Sequence, residues 1–177
     1  MAFITKDQAR AAARRGEDIF GQVAGMESFE GERFDIFLSH SIKDRELVYG
    51  VKVLLEEKHY KVYVDWVEDE QLDREHVNRE TAEKLRQRMR SCSSMIYIAT
   101  EQSSTSRWMP WELGYFDGYK PGAVAVLPLV DTERSTFHGQ EYLGLYPAVD
   151  WHDSKPYVDG VPEGRADLWA FVNDTSR

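Results

Sequence analysis

Between Phe34 and Val130 the chain repeatedly switches its hydrophobic period: short, nearly continuous apolar runs are each followed by a stretch with apolar residues at helical spacing. Phe34-Asp35-Ile36-Phe37-Leu38 is the first run, and Asp44 to Lys58 then carries Leu47, Val48, Val51, Leu54 and Leu55 three and four apart. Val62-Tyr63-Val64, Met95-Ile96-Tyr97-Ile98-Ala99 and Ala123 to Val130 repeat the strand pattern, while Arg79 to Arg90 and Trp108 to Tyr119 repeat the helical one. Strands that are apolar at nearly every position are buried on both faces, which requires a parallel sheet covered by helices. The alternation therefore predicts an α/β sandwich. Ala148-Val149-Asp150-Trp151 reads as a fifth strand and Asp167 to Val172 as a closing helix, whereas Asp131 to Tyr146 and His152 to Gly164 read as loops.

Ahead of this unit, Thr5 followed by Gln8 resembles a capping box, and Ala9, Ala12, Ala13, Ile19, Phe20 and Val23 make a weak apolar stripe on a helix running to about Gln22. Gly16 marks a potential break in that helix. Gly25 and Gly31 bracket the acidic stretch Met26 to Glu30, so the boundary is expected near Gly31: residues 1–31 form a helix and linker, and residues 32–177 the main domain. A length of 177 residues suits one domain with a short extension. No apolar run approaches the roughly 20 residues that cross a bilayer, and the first segment lacks the apolar core of a signal peptide. A cytoplasmic protein with no membrane partner is the expectation.

With 22 basic and 31 acidic side chains the formal charge is −9, which opposes sequence-independent binding to nucleic acid. Cys92 is the single cysteine, and His40, His59, His76, His138 and His152 fall at no metal-ligand spacing. Neither a disulfide framework nor a metal site is expected.

In an open parallel sheet, ligands sit beyond the carboxyl ends of the strands. After the first strand, Ser39-His40-Ser41-Ile42-Lys43-Asp44 leads into a helix whose first N–H groups could hold a phosphate or hydroxylated ligand; alternatively Ser41 or Asp44 only caps the helix. The loop lacks GxGxxG and GxxxxGK[ST], so neither a dinucleotide-binding turn nor a P-loop is supported. After the second strand, Asp65 suits a ribose hydroxyl and Trp66 a stacked ring, unless Trp66 merely closes the core. After the third, Ser106 or Arg107 begins a helix with Pro110 in its first turn, which places Trp108 and Glu112 on one face with Tyr115 and Tyr119 along the same ridge. Met109, Leu113 and Phe116 form the core ridge. A carboxylate beside aromatics is partly desolvated and suits sugar hydroxyls or a developing positive charge; the plainer alternative is a surface Glu112 paired with a base such as Arg107. Gly114 and Gly118 each cost a helix about 1 kcal/mol relative to alanine, which points to a close approach by something else.

Phe34-Asp35-Ile36-Phe37-Leu38-Ser39-His40-Ser41 with Asp44, then Val62-Tyr63-Val64-Asp65, the serine-rich loop and Trp108-x-x-x-Glu112 together resemble a bacterial Toll/interleukin-1 receptor (TIR) domain of the NAD-consuming, Thoeris-like type. The resemblance covers roughly Phe34 to Val130. It implies a flavodoxin-like three-layer sandwich with a five-stranded parallel sheet, here with an added N-terminal helix. It also implies cleavage of the nicotinamide–ribose bond of NAD, giving ADP-ribose or a cyclic isomer in antiphage defence, with NAD as substrate and no further cofactor. By position the catalytic glutamate of the family falls on Glu112 and the motif tryptophan on Trp108. Ser39, His40, Ser41, Lys43, Asp65, Trp66, Ser106 and Tyr115 complete the expected substrate contacts. Self-association through TIR–TIR contacts and a separate effector that senses the product are the implied partners.

One departure stands out: Glu68, Asp69, Glu70, Asp73 and Glu75 make a strange wall for an anionic dinucleotide. Either the loop faces away or a second copy covers it with Lys84, Arg86, Arg88 and Arg90, unless these four form only a solvated helical face. Two other readings remain open at this level, a non-catalytic TIR adaptor and a nucleoside deoxyribosyltransferase-like enzyme.

Overall fold

The computed structural model describes residues 2–20, 31–70, 72–132, 139–162 and 164–174. Its elements are β1 (Ile4–Thr5), α1 (Lys6–Phe20), β2 (Phe34–Ser39), α2 (Arg45–Glu56), β3 (Val62–Tyr63), α3 (Asp65–Glu68), α4 (Arg79–Arg90), β4 (Cys92–Ala99), α5 (Met109–Tyr119), β5 (Val124–Val130), β6 (Ala148–His152), β7 (Lys155–Val161), β8 (Gly164–Asp167) and α6 (Leu168–Val172). Short 3-10 turns occupy Ile42–Asp44, Ser103–Thr105 and Glu141–Leu145.

The strand order β3-β2-β4-β5-β6 is parallel throughout, which is the five-stranded flavodoxin-like arrangement expected from the alternation and the resemblance. Successive side chains point to opposite faces of a strand, so each buried strand feeds two cores. Ile36, Leu38, Ile96, Ile98, Ala125 and Leu127 join Val48, Val51 and Leu55 of α2 and Phe171 of α6 on one face. Phe37, Tyr63, Met95, Tyr97, Val124 and Val126 join Leu85 and Met89 of α4 with Met109, Leu113 and Phe116 of α5 on the other. Helices therefore cover both faces, and no helix among the described residues is long and apolar enough to cross a membrane.

Two parts of the sheet were not expected. The segment His152 to Gly164, read as a loop, instead extends the sheet through β7 and β8, both antiparallel. His152 pairs with Lys155, and Asp153 and Ser154 between them have φ of 49° and 60°. That is a two-residue hairpin turn of the tight type that favours glycine, made here without one. At the other end of the chain, Ile4 and Thr5 pair in parallel with Leu129 and Val130, and the Ala2 carbonyl accepts from the Trp151 N–H at 2.6 Å. β1 thus wedges between the carboxyl ends of β5 and β6.

The capping box is present: the Gln8 side chain accepts from Thr5 N–H at 2.8 Å, and Thr5 Oγ1 accepts from Gln8 N–H at 3.1 Å. Ala9, Ala12 and Ala13 are buried as the stripe predicts, with α1 lying along α2. Gly16 does not break the helix, which runs through it to Phe20. The Ile19 and Phe20 side chains, Gln22, Val23, the stretch Met26 to Glu30 and His138 lie outside the described residues.

Candidate functional site

After β2 the chain moves outward to β3 and then returns across β2 to β4, so the sheet order reverses between β2 and β4. From their carboxyl ends the chain leaves toward opposite faces of the sheet, to α2 and to α5, and it is at such a reversal that folds of this kind place ligands. Ser39 ends β2 on the face that α5 covers, and its hydroxyl donates to Glu112 Oε2 at 2.6 Å with both groups fully buried. The start of α5 is fixed locally: Ser106 Oγ accepts from Met109 N–H at 3.3 Å, and Pro110 occupies the first turn, where its missing N–H is harmless. Glu112 also lies in that first turn, where the helix dipole favours a negative charge. The turn after β4 is tied to the turn after β2 by Thr100 Oγ1, which donates to Asp44 Oδ2 at 2.6 Å.

The second oxygen of Glu112 is held by Arg74, a residue that the sequence reading did not single out. Arg74 Nη1 donates to Glu112 Oε1, and Arg74 Nε lies 3.0 Å from Asp65 Oδ2. That second contact is one of charge, since Asp65 Oδ2 has no aligned hydrogen-bond donor among the described residues. The Arg74 guanidinium sits over the Trp108 ring, 5.7 Å from its centroid, and Trp108 Nε1–H donates back to the Arg74 carbonyl at 3.1 Å. Asp65 Oδ1 accepts from Trp66 N–H at 2.7 Å and faces His40 Nε2 at 3.3 Å, while His40 Nδ1–H donates to the Leu38 carbonyl at 2.8 Å. Burial alone would raise the Asp65 carboxyl, but Arg74 and His40 outweigh it and hold Asp65 well below the usual carboxylate range. Burial likewise opposes the charge on Arg74, yet Glu112 and Asp65 together push its pKa up. The result is a closed, charged relay running Ser39, Glu112, Arg74, Asp65, His40.

The TIR domain family model matches residues 36–163. The chain belongs to the TIR domain family. One relative, the Bacillus cereus (strain MSX-D12) protein named a probable 3' cyclic ADP-D-ribose synthase, ThsB', is 54% identical over 117 residues, covering 66% of this chain and 60% of the relative. A candidate cyclic ADP-D-ribose synthase, TIR2 of Cytobacillus dafuensis, is 30% identical over 83 residues, covering 46% of this chain and 22% of the relative. The chain thus spans less than two thirds of the length of either protein. Among solved structures, the TIR domain of the Toll-related receptor TRR-2 from Hydra magnipapillata is similar, at 16% identity and a TM-score of 0.47, with 68% of this chain and 86% of that one covered.

In this TIR domain Ser39, His40, Asp65, Trp108 and Glu112 come together, as the sequence reading expects. The other expected contacts do not join them. Ser41 Oγ accepts from Lys43 N–H at 3.4 Å as a cap, and Lys43 is exposed. Trp66 turns toward α2, its ring 6.3 Å from that of Tyr49 and 5.4 Å from the Arg45 guanidinium, so it closes the core and does not face Glu112. Ser106 is taken up by capping α5. Tyr115 stacks between Trp111 at 5.9 Å and Tyr119 at 6.3 Å, beneath Arg86 and Arg90 of α4. The reason is helical arithmetic: Tyr115 follows Trp111 by four residues, so it shares the Trp111 ridge and leaves Glu112 on the inner side. The base paired with Glu112 is the buried Arg74 and not the exposed Arg107. No atom of another element comes within 4 Å of a Cβ built on Gly114 or Gly118, so the close approach expected there does not come from the described residues.

Glu68 and Asp69 of the acidic loop turn inward, while Glu70, Asp73 and Glu75 are exposed. Asp69 accepts from both Nε and Nη2 of Arg88 at 2.8 Å and from the Tyr63 hydroxyl at 2.8 Å, with Lys84 at 3.5 Å. Glu68 faces Lys52 at 3.5 Å. Arg88, open at the sequence level to a second copy or to solvent, is buried and serves its own chain. Burial pushes the Asp69 carboxyl up, but Arg88 and Tyr63 outweigh it and the net shift is downward. A carboxyl lowered by folding adds stability above its unfolded value and loses it as pH falls through the folded value. Asp69→Asn removes the carboxylate to which both Nε and Nη2 of the buried Arg88 donate and is expected to lose about 3 kcal/mol at pH 7 in urea unfolding. The gap between wild type and variant should shrink as the pH is lowered from about 5 toward 2; a gap unchanged with pH would contradict this account.

Proposed function

We propose that this TIR domain cleaves the nicotinamide–ribose bond of NAD and closes the remaining ADP-ribose into a cyclic isomer, with Glu112 as the catalytic carboxylate. The observation that carries the reading is a fully buried carboxylate fixed on one oxygen by Ser39 at the sheet's switch point, in a chain 54% identical to a protein named a probable 3' cyclic ADP-D-ribose synthase. Nicotinamide departs as a neutral molecule with the electron pair of the glycosidic bond, so no acid has to protonate it. The barrier lies in the positive charge left on the ribose, and a preoriented carboxylate in a dry site lowers that barrier directly. A hydroxyl of the same molecule then attacks the ribose carbon and gives up its proton, which forms the ring. Asp65 and His40 line the ribose side, and Trp108 offers a flat face for the leaving ring.

The wider reading places the product as a signal in antiphage defence, sensed by a separate effector, with TIR–TIR contacts completing the enzyme. A specific observation favours a second reading: Glu112 is sealed by Arg74, as a structural carboxylate in a non-catalytic adaptor would be. The deciding experiment is incubation of concentrated protein with NAD, products resolved by chromatography and mass. Nicotinamide together with a cyclic ADP-ribose isomer is the expected result. Linear ADP-ribose alone would remove the cyclase step, and no nicotinamide, even with crowding agents that force assembly, would favour the adaptor.

A further inference from the structure

We infer that Gln140 decides the product: its side-chain amide donates to the adenosine half of NAD and folds that half back toward the ribose carbon that loses nicotinamide. The inference rests on the reading of Glu112 as the catalytic carboxylate. Ser39 and Tyr97 are cross-strand partners on β2 and β4, so Tyr97 stands on the same face as the serine that holds Glu112 Oε2, and directly beside it. The Tyr97 side chain is fully buried, and its hydroxyl donates to Gln140 Oε1 at 3.3 Å. The Tyr142 hydroxyl donates to the same oxygen at 2.7 Å. Burial, reinforced by Tyr142 and by the Glu112 charge, pushes the Tyr97 phenol up, so it keeps the proton with which it donates.

An amide oxygen has two lone pairs, and here both are taken. The orientation of the Gln140 amide is thereby fixed. What the half-buried side chain still offers is the pair of N–H bonds on Nε2, which have no acceptor among the described residues. The backbone is held as firmly. The Gln140 carbonyl accepts from Leu143 N–H at 2.9 Å, Leu143 is buried in the same core as Tyr97, and the Tyr146 hydroxyl donates to Asp117 of α5 at 3.2 Å. A preorganised pair of donors with no use inside the chain suits an acceptor from outside it.

The two flanks of Glu112 differ in what they can hold. Toward β3 stand Asp65, Arg74 and Trp108, with the flat face for the departing ring. Toward β5 stand Tyr97, Tyr142 and Gln140. With nicotinamide on the first flank and its ribose at Glu112, the pyrophosphate and adenosine fall on the second. That half of the molecule is rich in acceptors, and an amide that can only donate complements it. Once nicotinamide has left with the bonding electron pair, an adenosine hydroxyl held near the ribose carbon forms the new C–O bond and releases its proton, which closes the ring. Without that hold, water forms the bond, releases its proton and gives linear ADP-ribose.

The test compares wild type with Gln140→Leu, which keeps the bulk of the side chain and removes its donors, and with Tyr142→Phe, which frees one lone pair of the amide. Nicotinamide release from NAD, the ratio of cyclic to linear product, and inhibition by AMP and by nicotinamide are measured, with circular dichroism to confirm folding. Gln140→Leu is expected to lower the cyclic-to-linear ratio about tenfold and to raise both KM for NAD and the half-inhibiting AMP concentration about tenfold, the usual effect of losing one or two neutral hydrogen bonds. Its kcat for nicotinamide release should stay level, and so should inhibition by nicotinamide. Tyr142→Phe should fall between, and it carries the comparison if Gln140→Leu does not fold. A merely structural Gln140 would weaken inhibition by nicotinamide and AMP alike, or slow release without moving the product ratio. A wild type that makes only linear ADP-ribose, or one whose product ratio and AMP inhibition are shared by both variants, would overturn the inference alone. Inert wild type, even under crowding, would overturn the catalytic reading and the inference with it.

Discussion

Gly50→Ala is expected to unseat the N-terminal segment from the domain and to cost about 3 kcal/mol or more, beyond the usual range for overpacking. A Cβ built on Gly50 would lie 1.8 Å from the Ala9 carbonyl oxygen and 2.5 Å from its carbon. Both are backbone atoms of α1, so no side-chain rotation relieves the clash, and the helices must separate. Separation exposes Ala9, Ala12 and Ala13 together with the Tyr49 and Val53 side chains that lie against Gly16, and it strains the β1 pairing at Ile4 and Thr5. Urea unfolding should give a lower midpoint, and amide exchange should quicken along α1 before it does in β2 or β4. A variant with the wild-type midpoint and wild-type protection of α1 would sink this account of the packing.

How much of this was legible depended on whether burial wrote a repeating pattern into the sequence. β2, β4 and β5 are buried on both faces, so their apolar runs stand out, and α2 and α4 declare one buried side at period 3.6. β7 did not stand out because Pro156, Asp159 and Gly160 interrupt its alternation, and because its turn is Asp153-Ser154 where glycine would have signalled a hairpin. β1 has two residues, too few for any period. That Ser39, Asp65 and Glu112 lie together was legible because topology gathers the residues that follow parallel strands, whereas the role expected of Glu112 came from the family resemblance. Arg74 was not, since Asp73-Arg74-Glu75-His76 reads as one more solvated charged run. The available signal was indirect: a glutamate in the first turn of a helix otherwise facing the core requires a buried cation, and the long polar loop after β3 was the place to look for one.

Glu112→Gln is expected to lower nicotinamide release by about 10² to 10³, the usual effect of removing one preorganised charge at a developing ion, while the fold survives. The amide oxygen can accept from Arg74 and the amide N–H can donate to Ser39 Oγ, so the shape and the hydrogen bonds persist and only the charge is lost. The loss then falls on kcat, because the carboxylate matters most when the ribose carries its full positive charge. KM should stay level, since the amide keeps the shape of the site and its hydrogen-bond partners Ser39 and Arg74. A fall in kcat without a rise in KM therefore separates a catalytic carboxylate from a residue that only binds substrate. Unchanged release would mean that Glu112 serves Arg74 and not NAD, a buried clamp for the loop after β3, and the site of any chemistry would have to be sought elsewhere on the domain.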